Sequence, residues 1–276
     1  MNMNEIIIDL TIVRHGNTNA NRRWLVEGNT DRGLNSNGKH QGQLVAKRLR
    51  NEKFDQVCSS DLGRAFQTAA FIVKENCTFN DERKIERCPQ LRERHFGVAE
   101  RTMILQHRQN AKKAGFKGNL EVLTKYVPEG GESDEDVRLR VRGFLKELFE
   151  KRVKIKKPEW KVLITSHGIT MREIVRCLIE DYGCSGISNN IMRNGRRLAK
   201  TPNTGITKFS LVLDAQNVSV SRGQCTLFQC KQHLESSNLI LRKMEYIQQY
   251  TIAWLEFLLA LFLFFLSKVT NTLTIF

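Results

Sequence analysis

Two continuous runs of aliphatic and β-branched residues constrain the fold of this 276-residue chain more than any other feature. Residues 6–13 and 161–165 are typical of strands that are buried on both faces of a parallel sheet. Such a sheet must be covered on both faces, and in α/β proteins helices do this. The runs therefore predict an α/β protein, a three-layer sandwich with a mostly parallel central sheet flanked by helices.

Helix-periodic segments alternate with the strand candidates along the chain, as this architecture requires. The helical segments are residues 44–49, 62–73, 137–148 and 171–178, and the shorter strand candidates are residues 55–58, 85–91, 206–213 and 217–220. Ser133 followed by Asp136 resembles a capping box before the third helix. Residues 97–130 show no clean period, which predicts an excursion over the edge of the sheet that serves as a cap or lid.

The charge of the chain predicts an anionic partner, because 44 Lys and Arg against 29 Asp and Glu leave a formal charge of +15. The basic stretch 151–161 contains a single aromatic residue, Trp160, and is interpreted as a solvated helix end. Nucleic-acid-binding motifs, phosphate-binding loops of the Walker type, dinucleotide fingerprints and HExxH are absent from the sequence. We therefore expect no nucleic acid among the partners.

Histidine tripeptides follow two of the predicted strands directly. Arg14-His15-Gly16 comes after the first strand, and Ser166-His167-Gly168 comes after the strand at 161–165. Ligands of open α/β sheets bind beyond the carboxyl ends of the strands, so both histidines are expected at one binding edge. A neutral histidine nitrogen can attack phosphorus while a backbone acceptor holds the other ring nitrogen. The pair predicts phosphoryl chemistry.

Cationic and acidic side chains near other strand ends fit the same chemistry. Arg14 and Arg64 are predicted to bind phosphoryl oxygens through their guanidinium groups. Gly168 is the first residue of the predicted helix that follows the second tripeptide. The first N–H groups of that helix can bind the same anion. Glu93, just past a third strand, is the predicted proton donor to the leaving alkoxide.

In chain order, the motifs resemble those of the histidine phosphatase superfamily, over about residues 8–213. They are Arg14-His15-Gly16, Ser59-Ser60-Asp61-Leu62 before Arg64, Leu91-Arg92-Glu93-Arg94, Gly130-Gly131-Glu132-Ser133 and Ser166-His167-Gly168. The context of Glu93 and the segment 201–205 are most similar to the fructose-2,6-bisphosphatase-like branch. The resemblance implies a phosphoglycerate mutase-like fold and a phosphomonoester hydrolase that regulates glycolysis by acting on fructose 2,6-bisphosphate, a small phosphorylated substrate.

The resemblance also implies roles for the site residues. His15 is the implied phosphorylated nucleophile, and Glu93 is the implied proton donor and later the base for water. Arg14, Arg64 and His167 are the implied ligands of the transferred group, with Asn21 as a further phosphate ligand. Neither a metal nor another cofactor is implied.

Two further functions stay open at this stage. The shared motifs also fit a phosphoglycerate mutase or a bisphosphoglycerate or broad-specificity phosphatase. A non-catalytic, membrane-anchored interaction protein is the alternative from another class. For Glu132, a site role and a simple helix N-terminal charge are both open.

Two positions depart from the family pattern. Asn17 occupies a position that is commonly Glu, and Glu27 occupies one that is usually Gln facing the substrate. A carboxylate at Glu27 would repel a phosphate unless a basic group such as Arg22 or Arg23 compensates. The substrate preference therefore depends on these two positions, whereas the predicted phosphoryl chemistry does not.

The chain is predicted to divide into a histidine phosphatase domain, residues 1–234, and a hydrophobic tail, residues 235–276. Residues 252–266 are almost entirely apolar, with Glu256 as the one charge. A membrane anchor, a packed helix and a non-native extension are the three interpretations of the tail, so membrane association stays open. No oligomeric state is predicted.

Seven cysteines, an odd number without a CxxC pair, follow an amino terminus that lacks a basic region. This pattern is typical of reduced thiols and predicts a cytoplasmic protein.

Overall fold

The structure, a computed structural model, describes residues 5–117, 125–155, 157–187 and 201–235. The chain divides into two compact units, Met1–Lys231 and Gln232–Phe276. Only residues 232–235 of the second unit are described, so the predictions for the apolar tail lie outside the described residues. Within the described ranges, no helix combines the length and apolar character needed to span a bilayer.

The first unit is built on a six-stranded sheet in the order β3-β2-β4-β1-β5-β6. Strands β3, β2, β4 and β1 run parallel to one another, β5 is antiparallel to β1, and β6 is antiparallel to β5. The strands are β1 (Glu5–Arg14), β2 (Gln56–Ser59), β3 (Glu86–Arg87), β4 (Glu159–Ser166), β5 (Ile206–Asp214) and β6 (Ser219–Cys230). The predicted mostly parallel α/β sheet is confirmed.

Helices connect the strands and cover both faces of the sheet. They are α1 (Asn19–Arg22), α2 (Ser36–Leu49), α3 (Gly63–Glu75), α4 (Ile104–Lys113), α5 (Asp134–Val153) and α6 (Gly168–Arg176). The predicted capping box begins α5: the Ser133 hydroxyl accepts the Asp136 N–H, and the Asp136 carboxylate accepts the Ser133 N–H. These reciprocal bonds satisfy N–H groups that the first turn of a helix leaves without partners.

Side-chain alternation along β1 explains why apolar residues occur on both of its faces. Ile8, Leu10 and Ile12 lie in the core formed with α5 and α6, whereas Val13 lies in the core formed with α2 and α3. Each such fully buried side chain contributes roughly 1.5–3 kcal/mol through removal of apolar surface from water. The two cores confirm the predicted three layers and hold the carboxyl end of β1 in place.

Two predicted strands differ from the structure, and the cap or lid predicted at 97–130 stays a prediction. The strand predicted at 85–91 is only Glu86–Arg87, and a 3₁₀ turn at Pro89–Leu91 follows because proline has no N–H to donate to a ladder. The strand predicted at 217–220 begins at Ser219 and extends to Cys230. Within 97–130, the structure contains a 3₁₀ turn at Gly97–Ala99 and helix α4.

Candidate active site

His15 lies directly after β1 and is 2% exposed. Its backbone N–H donates to the carbonyl of Ser166 at 2.9 Å, and its ring Nδ1 is 2.7 Å from the carbonyl oxygen of Gly16. A carbonyl only accepts, so Nδ1 carries the hydrogen of the neutral ring and the lone pair is on Nε2. This tautomer is the one that a nucleophilic histidine needs.

The turn after His15 packs against the first turn of α2. A Cβ on Gly16 would lie 2.5 Å from the carbonyl oxygen of Gly38, and a Cβ on Gly38 would overlap the carbonyl oxygen of Asn17. Asn35, the N-cap of α2, donates its side-chain amide to Asn17 Oδ1 at 2.7 Å. The two glycines therefore permit a close backbone contact that positions His15.

Replacing Gly38 by alanine should lower the free energy of unfolding by about 1–3 kcal/mol, because the added Cβ meets rigid backbone. Chemical denaturation measures the change. Gly143→Ala is the matched control, since a Cβ added to Gly143 of α5 would have no neighbouring atom within 4 Å, and it should stabilise by up to about 1 kcal/mol. Equal effects of the two substitutions would contradict the close-contact interpretation.

His167 is fully buried at the carboxyl end of β4, with its ring 5.1 Å from that of His15 between centroids. Arg64 Nε donates to His167 Nδ1 at 3.2 Å, so the hydrogen of the neutral ring is on Nε2, 2.9 Å from Ser60 Oγ. Burial lowers the pKa of His167 well below its usual range, and the positive charge of Arg64 lowers it further. His167 is thus a neutral N–H donor.

Arg64, in the first turn of α3, is 1% exposed. Besides His167, its guanidinium donates to the carbonyls of Thr30 at 2.8 Å and Gly28 at 2.6 Å. Burial lowers the pKa of Arg64, and the nearby carboxylates of Glu27 and Glu93 oppose this effect. An arginine remains charged under these conditions, so the site contains a rigidly held cation.

Arg14 and Glu93 approach each other over the start of α6. A Cβ on Gly168 would lie 3.6 Å from Arg14 Nε and 3.8 Å from Glu93 Oε2. The Glu93 carboxylate accepts backbone N–H groups from Ile169 at 3.1 Å and Thr170 at 3.2 Å. A helix N-terminus therefore holds this carboxylate beside a buried guanidinium.

The Arg14 guanidinium has a buried N–H donor, at Nε, without a partner among the described residues. Its Nη1 donates to the carbonyl of Thr201 at 2.6 Å. Burial lowers the pKa of Arg14, and Glu93 raises it. A buried charged donor of this kind is costly unless an acceptor binds to it, and a phosphoryl oxygen is such an acceptor.

Glu27 is buried next to these cations. Its Oε2 accepts from the Thr18 hydroxyl at 3.0 Å and from Asn21 Nδ2 at 3.4 Å, and it lies 3.7 Å from Arg64 Nε. Its Oε1 is buried without a hydrogen-bond partner among the described residues. Burial raises the pKa of Glu27, although Arg64 and Thr18 oppose the rise.

The compensating cation for Glu27 is not the one expected from the sequence. Arg22 and Arg23 are exposed at the end of α1, whereas Arg64 forms the ion pair. The expectation considered only neighbours in sequence, and Arg64 reaches Glu27 from a separate helix, α3.

Asn21 connects this part of the site to His15. Asn203 donates through Nδ2 to Asn21 Oδ1 at 3.2 Å and to the carbonyl of His15 at 2.9 Å. The structure thus brings together the residues singled out in the sequence, and their chemical roles stay predictions. These residues are Arg14, His15, Asn21, Arg64, Glu93, His167 and Gly168.

Arg140 is a positioning residue that the sequence did not reveal. From α5 it donates to the carbonyls of Gln90 at 2.6 Å, Arg92 at 2.8 Å and Glu93 at 3.1 Å. Glu132 holds Arg140 through a 2.9 Å ion pair and also accepts the His95 N–H. Glu132 is therefore neither a simple helix N-terminal charge nor a residue in contact with the other site residues. Through Arg140 it holds the loop that carries Glu93.

A comparison with models of protein families identifies the superfamily of this chain. The family model of the histidine phosphatase superfamily (branch 1) matches residues 10–199. The chain belongs to the histidine phosphatase superfamily. The family membership predicted from the motifs is therefore confirmed.

Curated relatives of this histidine phosphatase come from two groups. Fructose-2,6-bisphosphatase TIGAR of Xenopus tropicalis is 30% identical over 272 residues, with 83% of this chain and 95% of the relative covered. Fructose-2,6-bisphosphatase TIGAR B of Danio rerio is 31% identical over 257 residues, with 82% and 96% covered. The probable phosphoglycerate mutase GpmB of Serratia proteamaculans is 33% identical over 172 residues, with 60% and 72% covered.

Solved structures resemble this histidine phosphatase in fold. A mycobacterial glucosyl-3-phosphoglycerate phosphatase superposes with a TM-score of 0.65 at 22% identity, with 82% of this chain and 100% of that chain covered. A phosphoglycerate mutase from Bacillus anthracis gives a TM-score of 0.64 at 20% identity, with 85% and 98% covered. The predicted phosphoglycerate mutase-like fold is confirmed.

Proposed function

We propose that this histidine phosphatase hydrolyses the 2-phosphate of fructose 2,6-bisphosphate through a phosphohistidine at His15, and so limits glycolysis in the cytoplasm. The observation that carries the chemistry is the Nδ1 contact of His15 with the Gly16 carbonyl, which leaves the ring lone pair on Nε2. The near full-length likeness to proteins named fructose-2,6-bisphosphatase supports the substrate. For the location, the free thiols of buried cysteines such as Cys177 and Cys184 are compatible with a reducing compartment.

The first step of the proposed mechanism transfers the phosphoryl group. His15 Nε2 forms a bond to phosphorus as the bond from phosphorus to the sugar oxygen breaks. Glu93 gives its proton to the departing oxygen, which leaves as the sugar hydroxyl. Arg14 and Arg64 neutralise the phosphoryl oxygens, and the Nε of Arg14 still has a hydrogen to donate.

The second step returns the enzyme to its starting state. Glu93, now a carboxylate, takes a proton from a water molecule whose oxygen attacks phosphorus. The bond from phosphorus to His15 Nε2 breaks, and inorganic phosphate leaves. The side chains of His167 and Asn21 and the N–H of Gly168 supply hydrogen bonds to the transferred group in both steps, for which the His167 N–H exchanges Ser60 Oγ for a phosphoryl oxygen. Each such preorganised donor contributes roughly 3–4 kcal/mol.

Phosphate release by the full chain tests this function. The purified protein should hydrolyse fructose 2,6-bisphosphate in the presence of a chelator. It should do so with a higher kcat/KM than for 2,3-bisphosphoglycerate, 3-phosphoglycerate and sugar monophosphates in a matched panel. A preference for glycerate phosphates would contradict the proposed substrate but would not contradict the proposed phosphohistidine intermediate.

A second candidate function has support from the likeness to the probable phosphoglycerate mutase GpmB. A mutase and a phosphatase share the phosphohistidine and differ in whether the group returns to the product or passes to water. Analysis of products from 3-phosphoglycerate separates them. Isomerised phosphoglycerate would support the mutase, and release of inorganic phosphate would support the phosphatase.

Replacing Glu27 by glutamine should lower the KM for a bisphosphate by about threefold to tenfold at neutral pH. At an effective dielectric constant near 20, two like unit charges repel by about 4 kcal/mol at about 4 Å and by proportionally less at larger separations, and Arg64, 3.7 Å from Glu27, offsets part of this repulsion. Since the pKa of Glu27 is raised, lowering the pH neutralises its carboxylate, and the two KM values should converge.

The measurement is the ratio of wild-type to variant KM over a pH series, because titration of the substrate cancels in the ratio. Glu135→Gln, an exposed change on α5, is the control and should leave the ratio at unity. A Glu27→Gln ratio that does not vary with pH would contradict a charge effect.

A further inference from the structure

We propose that Cys58, Glu86 and Cys88 form a binding site for a zinc ion at the edge of the sheet formed by β2 and β3. Cys58 and Glu86 are paired in the parallel ladder between these strands. Cys88 comes two residues after Glu86 with extended backbone, so its side chain is on the same face. The two sulfur atoms and a carboxylate oxygen lie within 4.8 Å of one another.

The spacing of these three donors suits tetrahedral zinc. Zinc binds sulfur at about 2.3 Å and carboxylate oxygen at about 2.0–2.2 Å, so neighbouring ligand atoms of a bound ion lie roughly 3.4–3.8 Å apart. The side chains therefore need to close by about 1 Å, which rotation about their χ angles can supply. Thiolate and carboxylate ligands are a donor set that zinc accepts in proteins.

A cavity beside the donors gives an ion access to them. It has a volume of about 430 Å³, and its lining includes all three donors together with Glu147 and Lys151 of α5. Water or the Glu147 carboxylate can supply the fourth ligand from this cavity. Of the three donors, Cys58 is buried, Cys88 is half-buried and Glu86 is exposed. The site therefore lies between the hydrophobic core and the protein surface.

The charges at the site balance once the ion is bound. The Cys88 thiol donates to the backbone carbonyl of Glu86 at 3.7 Å, which holds the Cys88 side chain next to Glu86. Binding releases the two thiol protons to solvent and forms two zinc–sulfur bonds. Two thiolates, one carboxylate and Zn²⁺ leave one negative charge, and the Lys151 ammonium, 3.9 Å from Glu86, neutralises it.

The consequence of this site is structural, because none of its ligands belongs to the candidate active site. β3 has only two residues and forms the edge of the sheet, and an ion shared with Cys58 would join it to β2. Both strands lead toward the active site, since β2 is followed by Ser60 and the segment after β3 leads to Glu93. Zinc is therefore expected to stabilise the fold and leave the chemistry unchanged.

Titration of the full, tag-free chain with zinc and with cobalt(II) tests the site, with a phosphine reductant keeping the thiols reduced. One zinc ion per chain should bind and raise the Tm, and cobalt(II) should give thiolate charge-transfer absorption. Loss of even an outer partner of a metal ligand weakens binding by about 10- to 100-fold, so Cys88→Ser and Glu86→Gln should each cost more than about tenfold.

Two matched variants make the result specific. Cys77→Ser removes an exposed thiol elsewhere, and His15→Ala removes an alternative ligand in the active site; both should bind zinc like the parent chain. Circular dichroism verifies that the variants fold. Absence of binding, absence of the cobalt–thiolate absorption, or unchanged affinity in both Cys88→Ser and Glu86→Gln would overturn the proposal.

Discussion

Replacing His15 by alanine should reduce turnover by at least about 10⁴-fold and abolish the phosphoenzyme. The reaction proposed for this protein passes through a bond between His15 Nε2 and phosphorus, and alanine has no atom that can form it. The buried cations would remain, so substrate should still bind to the folded variant.

The measurement combines phosphate release with trapping of the acid-labile phosphoenzyme from labelled substrate. His40→Ala is the matched control, because His40 is exposed on α2, and it should keep both the rate and the label. Undiminished turnover by His15→Ala would refute the assignment of the nucleophile.

The tautomers of the two histidines explain why His15 is expected to carry the phosphoryl group. In His167, Nδ1 accepts from Arg64 and Nε2 bears the hydrogen, so its lone pair is already engaged. In His15, the Gly16 carbonyl holds the hydrogen on Nδ1 and leaves the lone pair on Nε2. A labelled phosphoenzyme that persists in His15→Ala and is lost in His167→Ala would reverse this assignment.

Local sequence patterns predicted the central sheet and the strand-end residues because both depend on short-range periodicity. The run at 6–13 became β1, and the run at 161–165 became the core of β4. Once these strands are parallel neighbours, His15 and His167 must lie at the same edge. Their proximity followed from sheet geometry and needed no information on side-chain packing.

Contacts between distant elements could not be predicted in the same way. In the sequence, Arg140 is a polar residue of an amphipathic helix and has no distinguishing feature. In the structure, it donates to the carbonyl of Glu93, 47 positions earlier in the chain. Asn203 reaches the carbonyl of His15 across 188 positions. The periodicity of a sequence does not indicate which polar side chain of one element contacts which carbonyl of another. The residues that position the site, such as Arg140 and Asn203, could therefore be identified only from the structure.

Replacing Glu93 by glutamine should reduce turnover of fructose 2,6-bisphosphate by about 10²- to 10⁴-fold, because the sugar oxygen would leave without a proton. The variant should keep two of the three backbone hydrogen bonds to this side chain and lose the one from Ile169, because the glutamine NH₂ group cannot accept. The amide oxygen of glutamine can still accept from Arg94 and Thr170, which bind Glu93 Oε1 at 3.0 and 3.2 Å. Glu135→Gln is the matched control on an exposed helix face.

An aryl phosphate such as p-nitrophenyl phosphate distinguishes proton donation from positioning, because its leaving group departs without a proton. With Glu93→Gln, the first turnover should release a burst of nitrophenolate at nearly the wild-type rate. The steady state should then be slow, because the variant lacks the base that activates water, and the phosphohistidine should accumulate. A residue that only positioned the substrate would slow the burst and the sugar phosphate reaction equally, and that result would contradict the role of Glu93 as the acid and base.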